Sequence, residues 1–368
     1  MSISLERIAP TGRPPGPVPQ TAVPPPSATI PARRLTYISW AESCSRSDHT
    51  ARELGGRSYM VYLPAFGSRG STILFKYIGQ WIRTARILAR EQPDTVCVMT
   101  PPLFAAGAAF WYAWRHDKQV VLDAHSAAFL HPRWKRLQWL QHAMCRRAVT
   151  TLVHTERIAH IVRGGGGHAT VVPDVPVLFP EREPFPRPAE FTVAVVCSFN
   201  YDEPLEAILD AARLTPEVRY FMTGNARHLR RDLAARLPEN VTLTGFLSTA
   251  GYGGLLAGAD VVMTLTTRDH TMLRGAYEAI YQGTPVIVSD WSLLREAFDE
   301  GAIHVDNTAA QIAAAVRRMR ADHAALREGA GRLRERKLAR FERVRQSIIA
   351  RLDTRWREVR ASGGALRT

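Results

Sequence analysis

Only four cysteines occur in 368 residues, at Cys44, Cys97, Cys145 and Cys197, with no CxxC pair and no His/Cys ligand spacing between them. This scarcity excludes a disulfide framework and a structural zinc site, and it fits reduced thiols in a cytoplasmic protein. Long apolar runs are missing too. The longest, Leu103 to Trp114, is about 12 residues, whereas a membrane-spanning helix needs roughly 20. The chain opens without the continuous apolar core and cleavage context of a secretory signal. No nucleic-acid recognition motif is present either.

What is there is ordinary globular material. Apolar residues make up 46% and charged residues 22%, and a chain of this length suits two domains of about 150 residues each. Residues 1–34 differ: they hold nine of the 24 prolines, with no apolar period, and are expected to be a disordered tail. The net charge is +14, and residues 311–368 supply +10 of it through sixteen Lys/Arg against six Asp/Glu. Such a basic end suits anionic phospholipid, nucleic acid or simple solubility.

From Leu35 onward short β-rich runs alternate with helical patterns, the mark of parallel α/β layers. Candidate strands of the first half are 35–40, 58–63, 95–99, 119–123, 151–154 and 170–172, with helices near 50–54, 74–91, 103–115, 134–148 and 156–163. Six prolines between Pro173 and Pro188 interrupt the pattern, which places the interdomain connection there. It restarts with strands at 191–197, 218–222, 241–243, 261–265 and 285–289, separated by helices near 204–213, 226–236, 251–257, 272–281 and 293–298. The expectation is two Rossmann-like domains, 35–177 and 191–307, joined by a linker at 178–190 and facing across a cleft lined by strand carboxyl ends. Residues 308–368 are expected to be helical, with a seam of Leu338, Phe341, Val344, Ile348, Leu352 and Val359, plus Trp356, that packs back on the protein.

The most informative stretch is RDHTMLRGAYEAIYQGTPVIVSD, Arg268 to Asp290. A polar loop after a strand leads into a helix whose first amides, near Met272, Leu273 and Arg274, can face an anion such as a diphosphate. About one turn further on, Glu278 can accept from two vicinal hydroxyls. Gly283-Thr284-Pro285 then closes the helix and starts the next strand.

This stretch resembles the donor-site segment of the family 4, or group 1, glycosyltransferases of GT-B fold, in which two glutamates eight positions apart flank a loop and helix ending in G-T-P-V. The resemblance implies that Glu278 holds the ribose of a sugar nucleotide. The first glutamate of the pair falls on His270, so the group nearest the reacting carbon differs here. Asn240 to Asp260 is similar to the family segment that frames the base, which assigns Gly245, Phe246 and Leu247 to that role. In CSFNYDEPLEAILDAA the arginine and lysine that contact the diphosphate in the family fall on Asn200 and Glu206. Both cations are missing, so their work passes to Arg268 or Arg274, to Ser198 and Asn200, and to the helix N-terminus. The same loop has a fainter similarity to the eukaryotic β-1,4-mannosyltransferases that act on dolichol-linked chitobiose.

In the first half, His125 stands just past the end of a strand in VVLDAHSAAF, at a position that resembles the family's acceptor-side histidine. An imidazole there can take or orient the proton of an attacking hydroxyl, and Asp123 is placed to orient its ring if the strand turns. Ser45, Arg46 and Ser47, in the loop after the first strand, are candidates for contact with phosphate or acceptor; capping of the next helix is the alternative for Ser47. The segment 132–147 mixes Trp134 and Trp139 with Lys135, Arg136, Arg146 and Arg147, which suits either an anionic membrane surface or burial of the tryptophans in the core.

Taken together, the expected activity is transfer of a hexose from a UDP- or GDP-sugar to an acceptor hydroxyl on a glycan or glycolipid. No bound cofactor is expected, and the absence of a DxD-like pair argues against a metal-held diphosphate. His125 and His270 are the expected catalytic groups, and the expected setting is cytoplasmic, with the inner membrane face as a candidate partner. A UDP-sugar 2-epimerase on the same fold and a basic nucleic-acid-binding or scaffold protein are the alternatives.

Overall fold

The computed structural model describes residues 34–63, 73–186, 188–269 and 271–361. The proline-rich tail up to residue 33, expected to be disordered, and His270, expected to be catalytic, lie outside the described residues. The chain divides into two compact units, one formed by the described residues up to Val175 with those from Arg340 onward, the other by Pro176–Ala339.

The N-terminal unit alternates strand and helix: β1 (Leu35–Ser39), α1 (Ser45–Glu53), β2 (Arg57–Met60), α2 (Ile73–Glu91), β3 (Thr95–Thr100), α3 (Leu103–His116), β4 (Gln119–Ala124), α4 (Ala127–Leu130), α5 (Gln138–Arg147), β5 (Thr150–Val153), α6 (Glu156–Gly164) and β6 (Ala169–Val171). The strands are all parallel, in the order β2-β1-β3-β4-β5-β6. Every residue of β3 (TVCVMT) and β4 (QVVLDA) is buried. Strands apolar on both faces need helices on both sides, and the alternating sequence supplies them.

The C-terminal unit repeats the plan with β7 (Phe191–Val195), α7 (Leu205–Leu214), β8 (Val218–Thr223), α8 (Arg231–Ala234), β9 (Val241–Gly245), α9 (Thr249–Gly258), β10 (Val261–Thr264), α10 (Arg274–Tyr281), β11 (Val286–Ser289), α11 (Ser292–Ala297), β12 (Ala302–Val305) and α12 (Ala309–Ala321). Its parallel sheet runs β12-β11-β10-β7-β8-β9. The chain leaves β7 in one direction and returns to β10 on the other side, so the topological switch point lies between these two strands. Ligands of doubly wound sheets bind at the carboxyl ends of the strands at such a point.

Several local expectations are corrected. The first helix begins at Ser45, about five residues before the expected start near Thr50. Residues 134–148 split into a 3-10 helix, Pro132–Leu137, and α5. In the same way 226–236 becomes a short 3-10 turn, Ala226–His228, and the four-residue α8. β12 was not expected at all.

The last helix, α13 (His323–Ala361), runs 39 residues. Its residues Phe341, Val344, Ile348 and Leu352 join Tyr37, Cys97 and Leu152 in one core cluster of the N-terminal unit. The Gln119 side-chain amide donates to the Leu352 carbonyl at 3.2 Å, Arg351 donates to the Val149 carbonyl at 2.7 Å, and Lys118 stands over the Trp356 ring. Part of the basic charge of this region is paired: Arg332 and Arg336 bind Glu300, and Arg345 binds Glu342. No described helix is long and apolar enough to cross a membrane.

Candidate functional site

The residues expected to hold the donor gather at the carboxyl ends of β7, β9 and β10, three strands of one parallel sheet. Glu278 lies in the middle of α10 and is only 8% exposed. Its two carboxylate oxygens are fixed from different sides: Oε2 accepts from the Tyr252 hydroxyl at 2.7 Å, and Oε1 accepts from Arg274 Nε at 2.6 Å. Tyr252 belongs to α9, whose N-cap Ser248 accepts from the Gly251 amide. The turn Gly245-Phe246-Leu247 leads into that cap. One hydrogen bond thus ties the turn expected to frame a base to the carboxylate expected to hold a ribose. Burial, and after it the charge of Glu278, pushes the Tyr252 hydroxyl well above its ordinary pKa, so it stays a donor.

The turn itself is formed for contact. Gly245 has φ +69, a left-handed conformation that side chains resist. Phe246 follows with its ring 75% exposed, while Leu247 is half-buried against the core.

The N-terminus of α10 is equally constrained. Leu273 is its N-cap in an extended conformation, and no side chain caps the helix. Gly275 sits directly on the end of β7: a Cβ there would fall 2.7 Å from Cγ1 of Val196. At the other end Gly283, at φ +78, terminates the helix, and its amide and that of Thr284 donate back to Ile280 and Ala279. The glycines of the motif therefore set the approach and the exit of one short helix.

Arg268 and Arg274 divide. Arg274 Nε donates to Glu278, and its side chain is 43% exposed. Arg268 instead reaches the loop after β7: its guanidinium lies 3.9 Å from Asp202 and 4.8 Å above the Tyr201 ring. The Thr267 amide donates to the Asp202 carbonyl at 2.7 Å, so the loops after β7 and β10 are stitched together. The backbone amides of Ser198 and Asn200 donate to the Glu203 carboxylate at 2.9 Å each, with Phe199 between them at φ +59. Burial pushes the Glu203 carboxyl up, against the pull of these amides. Glu206, at the position of the family's lysine, is paired with Arg230 at 2.9 Å.

In the N-terminal unit a second polar group is buried at the carboxyl ends of β1, β4 and β5. Asp123 has no exposed surface. It accepts from the Tyr37 hydroxyl at 2.7 Å and from Arg46 Nε at 3.2 Å, and Arg46 also donates to the Val172 carbonyl. Burial opposes ionisation of Asp123, but Arg46, then His125 and His154, outweigh it and hold the carboxyl below its usual value. Two expectations are corrected here. Arg46 is a buried partner of Asp123 rather than a cation offered to a ligand. Ser47 is buried inside α1 rather than capping it, and Cys44 is the N-cap. Ser45 opens the same helix, with His49 Nδ1 against its carbonyl at 2.8 Å.

His125 follows β4 directly, and its amide donates to the Thr100 carbonyl at 2.9 Å. Its ring is not held by Asp123. It meets the ring of His154, past the end of β5, edge-on at 5.1 Å. Nε2 of His125 and Nδ1 of His154 are buried without a hydrogen-bond partner. Burial lowers the pKa of His125 despite Asp123, and burial with help from Arg46 pushes His154 down to about 3. Both rings are neutral at physiological pH. His154 was missed in the sequence, although it has the signal that drew attention to His125, a histidine immediately after a buried strand.

Among the described residues no group of three or more His, Cys, Asp or Glu side chains is placed to hold a metal ion.

Comparison with known proteins places the C-terminal unit against a family model and the whole chain against known folds. Residues 190–322 match the family model described as "Glycosyl transferases group 1". Sucrose-phosphate synthase from Thermosynechococcus elongatus superposes with a TM-score of 0.64 at 16% identity, covering 90% of this chain and 100% of that one. The Anabaena protein HepE, in complex with UDP-glucose, gives 0.59 at 13% identity over 88% and 100% of the two chains. A protein assigned as a UDP-N-acetylglucosamine 2-epimerase in Listeria monocytogenes gives 0.52 at 14% identity over 81% and 90%. No curated protein sequence matches the chain. Residues 190–322 are therefore a group 1 glycosyl transferase domain, carried on a chain whose two sheets have the GT-B fold of glycosyltransferases.

Proposed function

We propose that this enzyme transfers a hexosyl group from a nucleoside-diphosphate sugar to an acceptor hydroxyl on a glycan or a lipid-linked saccharide, and that its C-terminal unit holds the donor through Glu278. The observation that carries this reading is the fixed, largely buried carboxylate on α10. Each of its oxygens accepts one bond from the protein, and an ionised carboxylate has about four acceptor sites. Two remain for two vicinal hydroxyls. Tyr252 and Arg274 position the carboxylate before the ligand arrives, which lowers the ordering cost of binding.

The exposed Phe246 ring offers a face on which a uracil or guanine base stacks. The uncapped N-terminus of α10 and the Arg268 guanidinium are the groups assigned to the diphosphate. As the bond to the anomeric carbon breaks, charge grows on the leaving diphosphate, and fixed donors stabilise that charge more than they stabilise the ground state. No metal ion is required in this scheme. In the N-terminal unit His125 is the acceptor-side group. A neutral imidazole can take a proton, and the lowered pKa keeps His125 in that form. The UDP-glucose bound by HepE supports a UDP-sugar as the first donor to try.

Calorimetry with UDP-glucose and GDP-mannose in the presence of EDTA tests the donor half. Glu278→Ala is expected to weaken the better ligand by at least about a hundredfold, the worth of two charge-assisted bonds of about 1.5 kcal/mol each. Unchanged affinity would remove the ribose assignment. His125→Ala is expected to lower turnover while leaving donor affinity within about twofold, and full activity would take His125 out of the chemistry.

A further inference from the structure

The outer face of α2 and α3 in the N-terminal unit carries a concentration of apolar side chains. α2 buries Gln80, Thr84 and Leu88, and on a different face it exposes Leu74, Phe75, Ile78 and Ile82. At about 100° per residue these four fill a single sector of roughly 100°. Arg83, Arg86 and Arg90 occupy the adjoining sector, with Lys76 at its edge, and the only acid of the helix is Glu91 at its end. α3 adds Phe104, Trp111 and Trp114, with Arg115 beside them. All seven apolar side chains are between 45% and 65% exposed.

The two sectors adjoin. The helices touch where Trp81 covers Gly107, at 3.0 Å from the place of a Cβ, and where the rings of Tyr77 and Phe104 stand 5.1 Å apart. A contiguous apolar patch of this size is uncommon on a monomer and marks an interaction surface.

We propose that this face docks the enzyme on a bilayer surface rich in anionic phospholipid, with the apolar sector in the acyl boundary and the arginines among the headgroup phosphates. The arrangement of charge selects this occupant. Cations border the apolar sector on one side, and the single acid there, Glu91 at the helix end, pairs with Arg90 and leaves Arg83 and Arg86 without an acidic neighbour on the helix, which matches a surface of negative charge. A second copy of the chain meeting this face with the same face would bring the same cations and, from α2, only Glu91 as an acid to pair with them. The tryptophans fit the headgroup level, where amphipathic rings accumulate. The segment singled out from the sequence for a membrane, 132–147, contributes one well-exposed ring, Trp139, whereas Trp134 is half-buried. This surface stands on its own residues and does not depend on the donor assignment.

The test is co-sedimentation of the full chain with vesicles of phosphatidylcholine alone and of phosphatidylcholine with about one-third phosphatidylglycerol, at low and physiological salt. Wild-type protein is expected to pellet with the anionic vesicles only, with a blue shift of tryptophan emission. Arg83→Gln with Arg86→Gln should weaken partition roughly thirtyfold, and Ile78→Glu with Ile82→Glu should abolish it. All four side chains face solvent, so circular dichroism should show wild-type folding in both variants. Failure of the wild type to bind, or binding unaffected by the Ile78→Glu, Ile82→Glu pair, would overturn the proposal. So would a dimer in light scattering that this pair dissociates without any vesicle binding, because the face would then join two copies.

Discussion

Replacing Arg46 by methionine isolates the cost of the buried carboxylate beneath the N-terminal sheet's carboxyl ends. Asp123 has no exposed surface and would keep only the Tyr37 hydroxyl as donor. A charge left in that state costs several kcal/mol, so the carboxyl takes up a proton instead. The ceiling on that route is the work of holding an acid with an ordinary pKa of 3.8 protonated at neutral pH, about 4 kcal/mol at pH 7. Loss of the Arg46 bond to the Val172 carbonyl adds about 1 kcal/mol. The expected destabilisation at pH 7 is therefore about 3–5 kcal/mol, the range found when one partner of a buried pair is removed. The sign of its pH dependence follows. In the wild type the depressed pKa gives stability that is present above 3.8 and lost as pH falls through the folded-state value. In the variant the raised pKa reverses this, and the deficit shrinks by up to about 1.4 kcal/mol per unit as pH falls from 7 toward 5. Urea unfolding followed by tryptophan emission at pH 5, 6 and 7 reads the right unit, since seven of the eight tryptophans lie in it. A deficit below about 1 kcal/mol, or one independent of pH, would show that the pair is solvated and the reasoning wrong.

Three other outcomes are expected. Gly275→Ala drives a methyl to 2.7 Å from a branched valine, so α10 must shift; the variant should lose about 1–3 kcal/mol of stability and, measured by calorimetry, donor affinity with it. His154, pushed down to about 3 against an ordinary 6.5, lets the unfolded chain bind an extra proton between those values, so stability falls as pH drops from about 6.5 toward 3; His154→Gln should flatten that slope by up to about 1.4 kcal/mol per unit in the same urea assay. Arg268→Gln should weaken UDP at least about tenfold while leaving uridine unchanged; equal losses for both ligands would mean that the arginine does not serve the phosphates.

The parallel strands were legible because a strand buried on both faces must be apolar throughout, and short runs such as TVCVMT and VVLDA between breakers admit few other readings. β12 escaped because it is a four-residue edge strand with alternating burial and a histidine at its centre. The short helices near 132 and 226 were drawn too long, since polar residues with a few apolar ones fit a helix period without forming a helix. In the site, Glu278, the GTP turn and the Gly245 turn were visible through local motifs whose parts are close in sequence. The Arg46–Asp123 pair was not, because its members are 77 residues apart and nothing in either neighbourhood names the other. The same holds for Tyr252, which reaches Glu278 across 26 residues. Chemistry made by contact across the sheet is written in topology, and a linear pattern does not carry it.

The loss of both cations in the loop after β7 takes on a physical meaning once Glu203 is placed. Amides on either side of a left-handed residue form a concave donor set of the kind that binds anions, and here the set closes on the chain's own carboxylate. With Asp202 beside it, the loop presents negative charge where related enzymes are expected to present positive. A diphosphate approaching such a loop meets repulsion unless a cation is brought in from another element, and the stitch between Thr267 and Asp202 brings Arg268 there. At 3.9 Å Asp202 holds the guanidinium near the loop, while the Arg268 side chain stays 54% exposed, open to a ligand of higher charge under the proposed reading. Cation and loop come from strands adjacent in the sheet at its switch point, so the compensation requires only that β10 return beside β7, which the topology guarantees. If the proposed donor site is right, a sequence can in this way lack the family's phosphate-binding side chains and still balance the charge of a diphosphate.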